Sequence, residues 1–245
     1  MPLNRWYELP VVETSKCVGC GLCVHACPVG AVFLNDLGKA LINSDDCLEC
    51  GVCVRICPVS AVHVVELPFP YNFKLMSNPA LPKITGIPGR GTDEVKTNDV
   101  TGRIKRGEVG FTIDVGRPNV GTTLADVVKI LNALEKAGVE LERENPQMIV
   151  LDSLRSGKLS FDDLSKIKIM SMVLEGKTSL SNLGRVIKAL KDVEKEVNTV
   201  FSVGVICRFN DDMSLPCYDL LEGLGINPMP IAKINLGLGK PVVND

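Results

Sequence analysis

The chain has 245 residues, 45% of them hydrophobic and 23% charged, with a formal net charge of −2. It is long enough to bury more than one core, it has no basic footprint for nucleic acid, and no apolar run reaches the length of a bilayer crossing.

In chain order the first readable feature is a cysteine repeat. Eight of the ten cysteines fall in two copies of one spacing, Cys17-x2-Cys20-x2-Cys23-x3-Cys27-Pro28 and Cys47-x2-Cys50-x2-Cys53-x3-Cys57-Pro58, thirty residues apart. A compact loop with a thiolate at every third position can wrap three corners of a cube, while the displaced fourth cysteine completes the neighbouring cube. The spacing therefore predicts two [4Fe-4S] clusters. Cys17, Cys20, Cys23 and Cys57 would hold cluster I, and Cys47, Cys50, Cys53 and Cys27 would hold cluster II. Two Cys-x-x-Cys pairs can also make a tetrahedral zinc site, but the third cysteine in succession and the Cys-Pro speak against it. A disulfide framework suits a small secreted chain rather than this one.

Residues 17–34 and 47–64 share ten of eighteen positions, including Gly21/Gly51, Val24/Val54, Val29/Val59, Ala31/Ala61 and Val32/Val62. This is an internal repeat. On these motifs the segment from about 14 to 66 resembles the bacterial-type ferredoxins with two four-iron clusters. The resemblance implies a pseudo-twofold module of short hairpins and one-turn helices, and low-potential one-electron transfer. Gly21 and Gly51 would let backbone N–H groups approach the cluster sulfurs, and Pro28 and Pro58 would stop the short helices. Val18, Leu22, Val24, Ala26, Leu48, Val52, Val54 and Ile56 would form an apolar jacket. His25 and Arg55, at equivalent positions, read as solvated side chains, with tuning of the potential as the alternative. His63 reads as structural. Thiolate-ligated clusters and the lack of a secretory segment point to a reducing cytoplasm, that of an anaerobe.

Residues 67–106 are rich in Pro, Gly and Asn but carry apolar anchors, Phe69, Tyr71, Phe73, Leu75, Met76, Leu81 and Ile84. They read as an ordered connection between the cluster module (1–66) and an α/β domain (107–210). In that domain Val109, Phe111, Ile113 and Val115 alternate as a half-buried strand. Gly121-Thr122-Thr123 opens a helix with Leu124, Val127, Val128, Leu131 and Leu134 on one face and Gly138 at its end. A short strand is expected near 147–151, and Ser160 caps a short helix running through Leu164. A strand follows over 166–174. Ser179 or Ser181 starts an amphipathic helix carrying Leu183, Val186, Ile187, Leu190, Val193 and Val197, and residues 200–207 suggest a central strand. The order β-α-β-(α)-β-α-β suits a split βαβ sandwich, so the fold class is α+β. Regulatory modules of the ACT type are similar in topology alone. Residues 211–245 hold Pro228, Pro230, Gly237, Gly239 and Pro241 among apolar residues, and read as a segment packed on the core or on a partner.

Outside the cysteines, Arg90, Lys96 and Arg103 lie in a polar, turn-rich stretch suited to a carboxylate or phosphate, or to a flavin phosphate, although no Walker or dinucleotide motif is present. A turn satisfying its own backbone is the alternative. Residues 89–111 resemble the segment that follows the cluster module in 6-hydroxynicotinate reductase-like proteins, which implies a ferredoxin-linked reductase. Arg117 and Thr122, at the start of the first long helix, are further candidate anion contacts beside the alternative of an ordinary capped turn. Cys207 and Cys217 read as buried small hydrophobes. With two histidines in the chain and no acid–base dyad, electron transfer to a redox partner protein or to other subunits of a reductase leads. A reductase acting on a small anionic or aromatic substrate, and a redox or ligand sensor, are the other readings.

Overall fold

Each cysteine run folds as a tight loop entering a one-turn helix. The backbone must first turn left-handed, and Gly21 (φ 74°) and Gly51 (φ 71°) do so as the N-caps of helices α1 (Leu22–Ala26) and α2 (Val52–Ile56). Both helices stop at Cys27 and Cys57, which are extended and precede a proline. The computed structural model describes residues 10–64, 69–70, 73–74, 102–116 and 121–227.

Around the two helices, β1 (Val11–Val12) pairs antiparallel with β4 (Val62–His63), and β2 (Val32–Leu34) with β3 (Ala40–Ile42). The buried cluster of this module is Cys17, Cys23, Val32, Ala40, Cys53, Ala61 and Val62. Nearly half of that core is thiol, so its stability is tied to what the thiols hold.

The second core is larger. Strand β5 (Glu108–Val115) pairs antiparallel with both β10 (Phe201–Ile206) and β9 (Met172–Ser179), and β7 (Glu140–Leu141) pairs with β9, giving the order β10-β5-β9-β7. Val109, Phe111, Ile113 and Val115 of β5 face helices α3 (Leu124–Lys136) and α6 (Leu183–Val193) in one apolar cluster. A two-stranded pair, β6 (Thr122–Thr123) with β8 (Lys168–Ile169), flanks the start of α3. Helix α5 (Phe161–Lys166) begins with a capping box between Ser160 and Asp163.

Four expectations are corrected. Residues 147–151 are not a strand but the start of helix α4 (Gln147–Arg155). The side-chain amide of Gln147 accepts from Glu175 N–H (2.8 Å) and donates to Glu175 C=O (2.7 Å), so it pairs with β9 as a neighbouring strand would while the main chain turns helical. The strand expected over 166–174 is divided: α5 runs through Lys166, β8 is short, and β9 extends to Ser179. The helix expected from Ser179 or Ser181 opens instead with a 3-10 turn, Leu180–Asn182, before α6. Among the described strands the one near 200–207 is not central: β10 pairs with β5 alone, and Ser202 and Val203 are exposed. Its β-branched residues reflect strand propensity rather than burial on two faces.

The core also extends past residue 210 through helix α7 (Pro216–Gly223), whose Cys217 and Leu221 are buried. Among the described residues no helix is long and apolar enough to cross a membrane.

Two adjacent residues of the connection join the cores. Phe73 is 3% exposed and belongs to the larger cluster, where its ring meets Phe69 edge-on, with the Lys158 ammonium over Phe69. The neighbouring Lys74 reaches the second cysteine loop. Lys168 of β8 is paired with Asp46 at 2.8 Å, and Leu48 packs against Gly121. Tyr71, Leu75, Met76, Leu81 and Ile84 lie outside the described residues.

Candidate metal centre

The pseudo-twofold arrangement brings the fourth cysteine of each run toward the other run. One concavity is lined by Cys17, Cys20, Cys23 and Cys57, and a second by Cys27, Cys47, Cys50 and Cys53. Among the described residues no three His, Cys, Asp or Glu side chains converge on one ion-sized point. Eight thiols spread around two wider concavities suit a polynuclear group, whose corners hold its ligands apart. The donor set, all thiol within apolar walls, fits iron and sulfide.

Main-chain N–H groups already point at several sulfurs. Ala31 N donates to Cys27 Sγ and Ala61 N to Cys57 Sγ, both at 3.2 Å, and Ala40 N donates to Cys17 Sγ at 3.4 Å. Such donors stabilise thiolate and any further negative charge placed beyond it. At Cys57 burial works to raise the thiol, and the N–H groups around residues 59–62 outweigh it, so the net direction is down. Elsewhere burial dominates: it pushes Cys47 up to about 12, with Glu49 adding to the effect, and Cys53 up to about 11. Cys23 is raised by the same cause. These thiols need a cation to give up their protons.

The two concavities differ in exposure. Cys20 is exposed, and beside it Val18 (63%) and Leu22 (48%) face solvent, as do Leu34 and Val59. The jacket expected from Val18 and Leu22 is therefore open at this edge, because they lie on the outer side of the loop and of α1. At the second concavity Leu48 and Val32 are buried. Val24 and Val54 pack partly against the small core. His25, Arg55 and His63 are exposed, and the Arg55 guanidinium reaches the Cys50 carbonyl at 3.5 Å.

Sequence spacing did not reveal three residues. Lys39 Nζ donates to the Cys17 carbonyl at 2.5 Å, and Lys74 Nζ donates to the Cys47 and Ser44 carbonyls at 3.1 and 2.6 Å. Glu49 is 5% exposed, and burial pushes its carboxyl up to about 7 against the pull of Lys74. Burial lowers Lys74 in turn, with Glu49 opposing. The repeat gave no signal for Lys74, since thirty residues after Lys39 stands Phe69.

Of the candidate anion contacts, Arg90, Lys96 and Arg117 lie outside the described residues. Arg103 is ion-paired with Glu142 and with Glu144, the latter at 2.7 Å, so two carboxylates already meet its charge. Thr122 is buried in β6 and donates to the Thr123 carbonyl. The N-terminus of α3 is capped from within, by the Thr123 hydroxyl accepting from Asp126 N at 3.1 Å. Cys207 and Cys217 lie remote in sequence from the cysteine runs; hydrogen bonding between them draws the Cys207 thiol down and pushes the Cys217 thiol up.

Comparison with known proteins bears on the N-terminal module. The family model of a 4Fe-4S dicluster domain matches residues 9–58. Over 28 residues the chain is 43% identical to an uncharacterized ferredoxin of Methanocaldococcus jannaschii. That match covers 11% of this chain and 18% of the relative, so it speaks for the cysteine module and not for the rest. The chain thus carries a ferredoxin-type iron–sulfur domain at its N-terminal end.

Proposed function

We propose that the chain passes single electrons through two [4Fe-4S] clusters, as an electron-transfer protein or as the electron-transfer subunit of a reductase in the reducing cytoplasm. Cys17, Cys20, Cys23 and Cys57 hold cluster I, and Cys47, Cys50, Cys53 and Cys27 hold cluster II. The observation that carries the reading is the lining of the two concavities, each by three cysteines of one run and the fourth of the other. Bound cubes of this kind supply one-electron chemistry. The chain's residues do the rest: N–H groups at Ala31, Ala40 and Ala61 face the sulfurs, and the buried Leu48 and Val32 exclude water.

The exposed edge at Val18, Cys20 and Leu22 suits approach by a redox partner protein, while the second concavity faces the larger unit through Leu48, Asp46 and Lys74. That unit is read as a split βαβ sandwich over residues 107–210, supported by the order β10-β5-β9-β7 and by α3 and α6 packed on β5. Anaerobically purified protein should contain about eight iron and about eight acid-labile sulfides and take up about two electrons on reduction. Tightly bound zinc without sulfide would refute the reading.

A further inference from the structure

The two cysteine loops share a feature that the repeat does not encode. In each, a lysine ammonium holds the main-chain carbonyl of the first cysteine: Lys39 at Cys17 and Lys74 at Cys47. Lys39 belongs to the hairpin of the N-terminal module, one residue before β3. Lys74 comes from outside the repeat, carried by the segment that anchors Phe73 in the larger core. Different parts of the chain thus bring the same chemical group to equivalent places.

The environments are unequal. Lys74 is 4% exposed and Lys39 is half-buried. A charge removed from water interacts more strongly with its neighbours, because solvent screens it less. Lys74 interacts with the buried Glu49 carboxyl, with Cys47, with Asp45 and with the like charge of Lys168. A positive charge beside a site that takes up electrons makes the more negative state easier to reach.

We propose that Lys39 and Lys74 are the paired charge-setting residues of the two cysteine loops, each raising the reduction potential of the cluster its loop holds, with the buried Lys74 exerting the larger effect on cluster II. Both are positioning residues: they act through the cysteine main chain and through their charge. Lys74 also makes the potential of cluster II depend on the connection, since the chain that seats Phe73 in the larger core seats Lys74 at Cys47.

The inference rests on the two-cluster reading, and one set of samples separates the two. The full-length chain is purified anaerobically as wild type, Lys74→Met, Lys74→Arg and Lys39→Met. Iron and sulfide are measured first, then a potentiometric titration is followed by electron paramagnetic resonance. Lys74→Met should move the midpoint of one cluster to lower potential and leave the other in place. Lys39→Met should lower the other midpoint by a smaller shift. Lys74→Arg, which keeps the charge, should return the midpoint toward wild type. If Lys74→Met loses iron, Lys74→Gln, which keeps a donor for the carbonyl but not the charge, takes its place with the same expected shift. Unmoved midpoints at full iron content, or equal shifts of both clusters in each variant, overturn the inference and leave the two-cluster reading standing. A wild-type chain without two reducible clusters overturns both.

Discussion

Gly19 and Gly30 separate two effects that are easily merged. Both are left-handed, with φ of 71° and 66°. A side chain at either position costs about 1–2 kcal/mol of backbone strain. At Gly30 that is all, because an added Cβ meets nothing within 4 Å. At Gly19 the same Cβ falls 2.4 Å from the Gly38 carbonyl oxygen in the β2–β3 turn. Main chain cannot swing aside as a long side chain can, so overpacking adds about 1–3 kcal/mol. The repeat contains a natural control: the equivalents of Gly19 and Gly30 are Glu49 (φ 53°) and Ser60 (φ 49°), which tolerate the conformation with a Cβ. Gly19→Ala should therefore lose iron–sulfur absorbance in guanidinium faster than Gly30→Ala, by a factor of up to about 150, the limit reached when the whole collision is relieved in the unfolding transition state. Equal rates in the two variants would refute the reasoning.

Gln147→Leu should destabilise the larger unit by about 1–3 kcal/mol, because it removes the amide oxygen that accepts from the buried Glu175 N–H, while the Glu175 carbonyl keeps the Glu142 N–H; denaturant titration followed by far-ultraviolet circular dichroism measures it. Phe73→Ala should cost that unit about 3–5 kcal/mol by emptying a buried site, and a change confined to the cysteine module would contradict the placement of Phe73 in the larger core. With the eight cysteines of the two runs protected, iodoacetamide should label Cys207 before Cys217, since Cys207 is drawn down and half-buried while Cys217 is pushed up and buried. Labelling of Cys207 should rise with pH at lower values than for an ordinary thiol. Mass spectrometry of the labelled peptides decides the order.

What was legible in the sequence follows from periodicity and spacing. Strand β5 with its alternation at Val109, Phe111, Ile113 and Val115, and the apolar faces of α3 and α6 are local patterns, and the structure contains them. The failures occur where a long-range contact decides. Gln147 is polar and buried, and its pairing with Glu175 becomes visible only once β9 is beside it. The position of β10 at the end of the order of the described strands depends on pairing, which β-branched residues do not encode. Helix α7, within a segment for which the sequence suggested packing but no helix, starts at Pro216, where proline favours a first turn, and is held by Cys217 and Leu221 in the core. At the candidate metal centre the grouping of the cysteines around two concavities was readable because their spacing is local. Lys39 and Lys74 were not, since each acts through a carbonyl that any residue type would present.

Crossed ligation is tested most directly by comparing four single variants, Cys20→Ser, Cys57→Ser, Cys50→Ser and Cys27→Ser, by electron paramagnetic resonance of the reduced, anaerobically purified protein. Shared cubes require Cys57→Ser to reproduce the spectrum of Cys20→Ser, and Cys27→Ser to reproduce that of Cys50→Ser. A Cys57→Ser spectrum matching Cys50→Ser, with Cys27→Ser matching Cys20→Ser, would mean that each run holds its own four ligands, contrary to the lining of the two concavities.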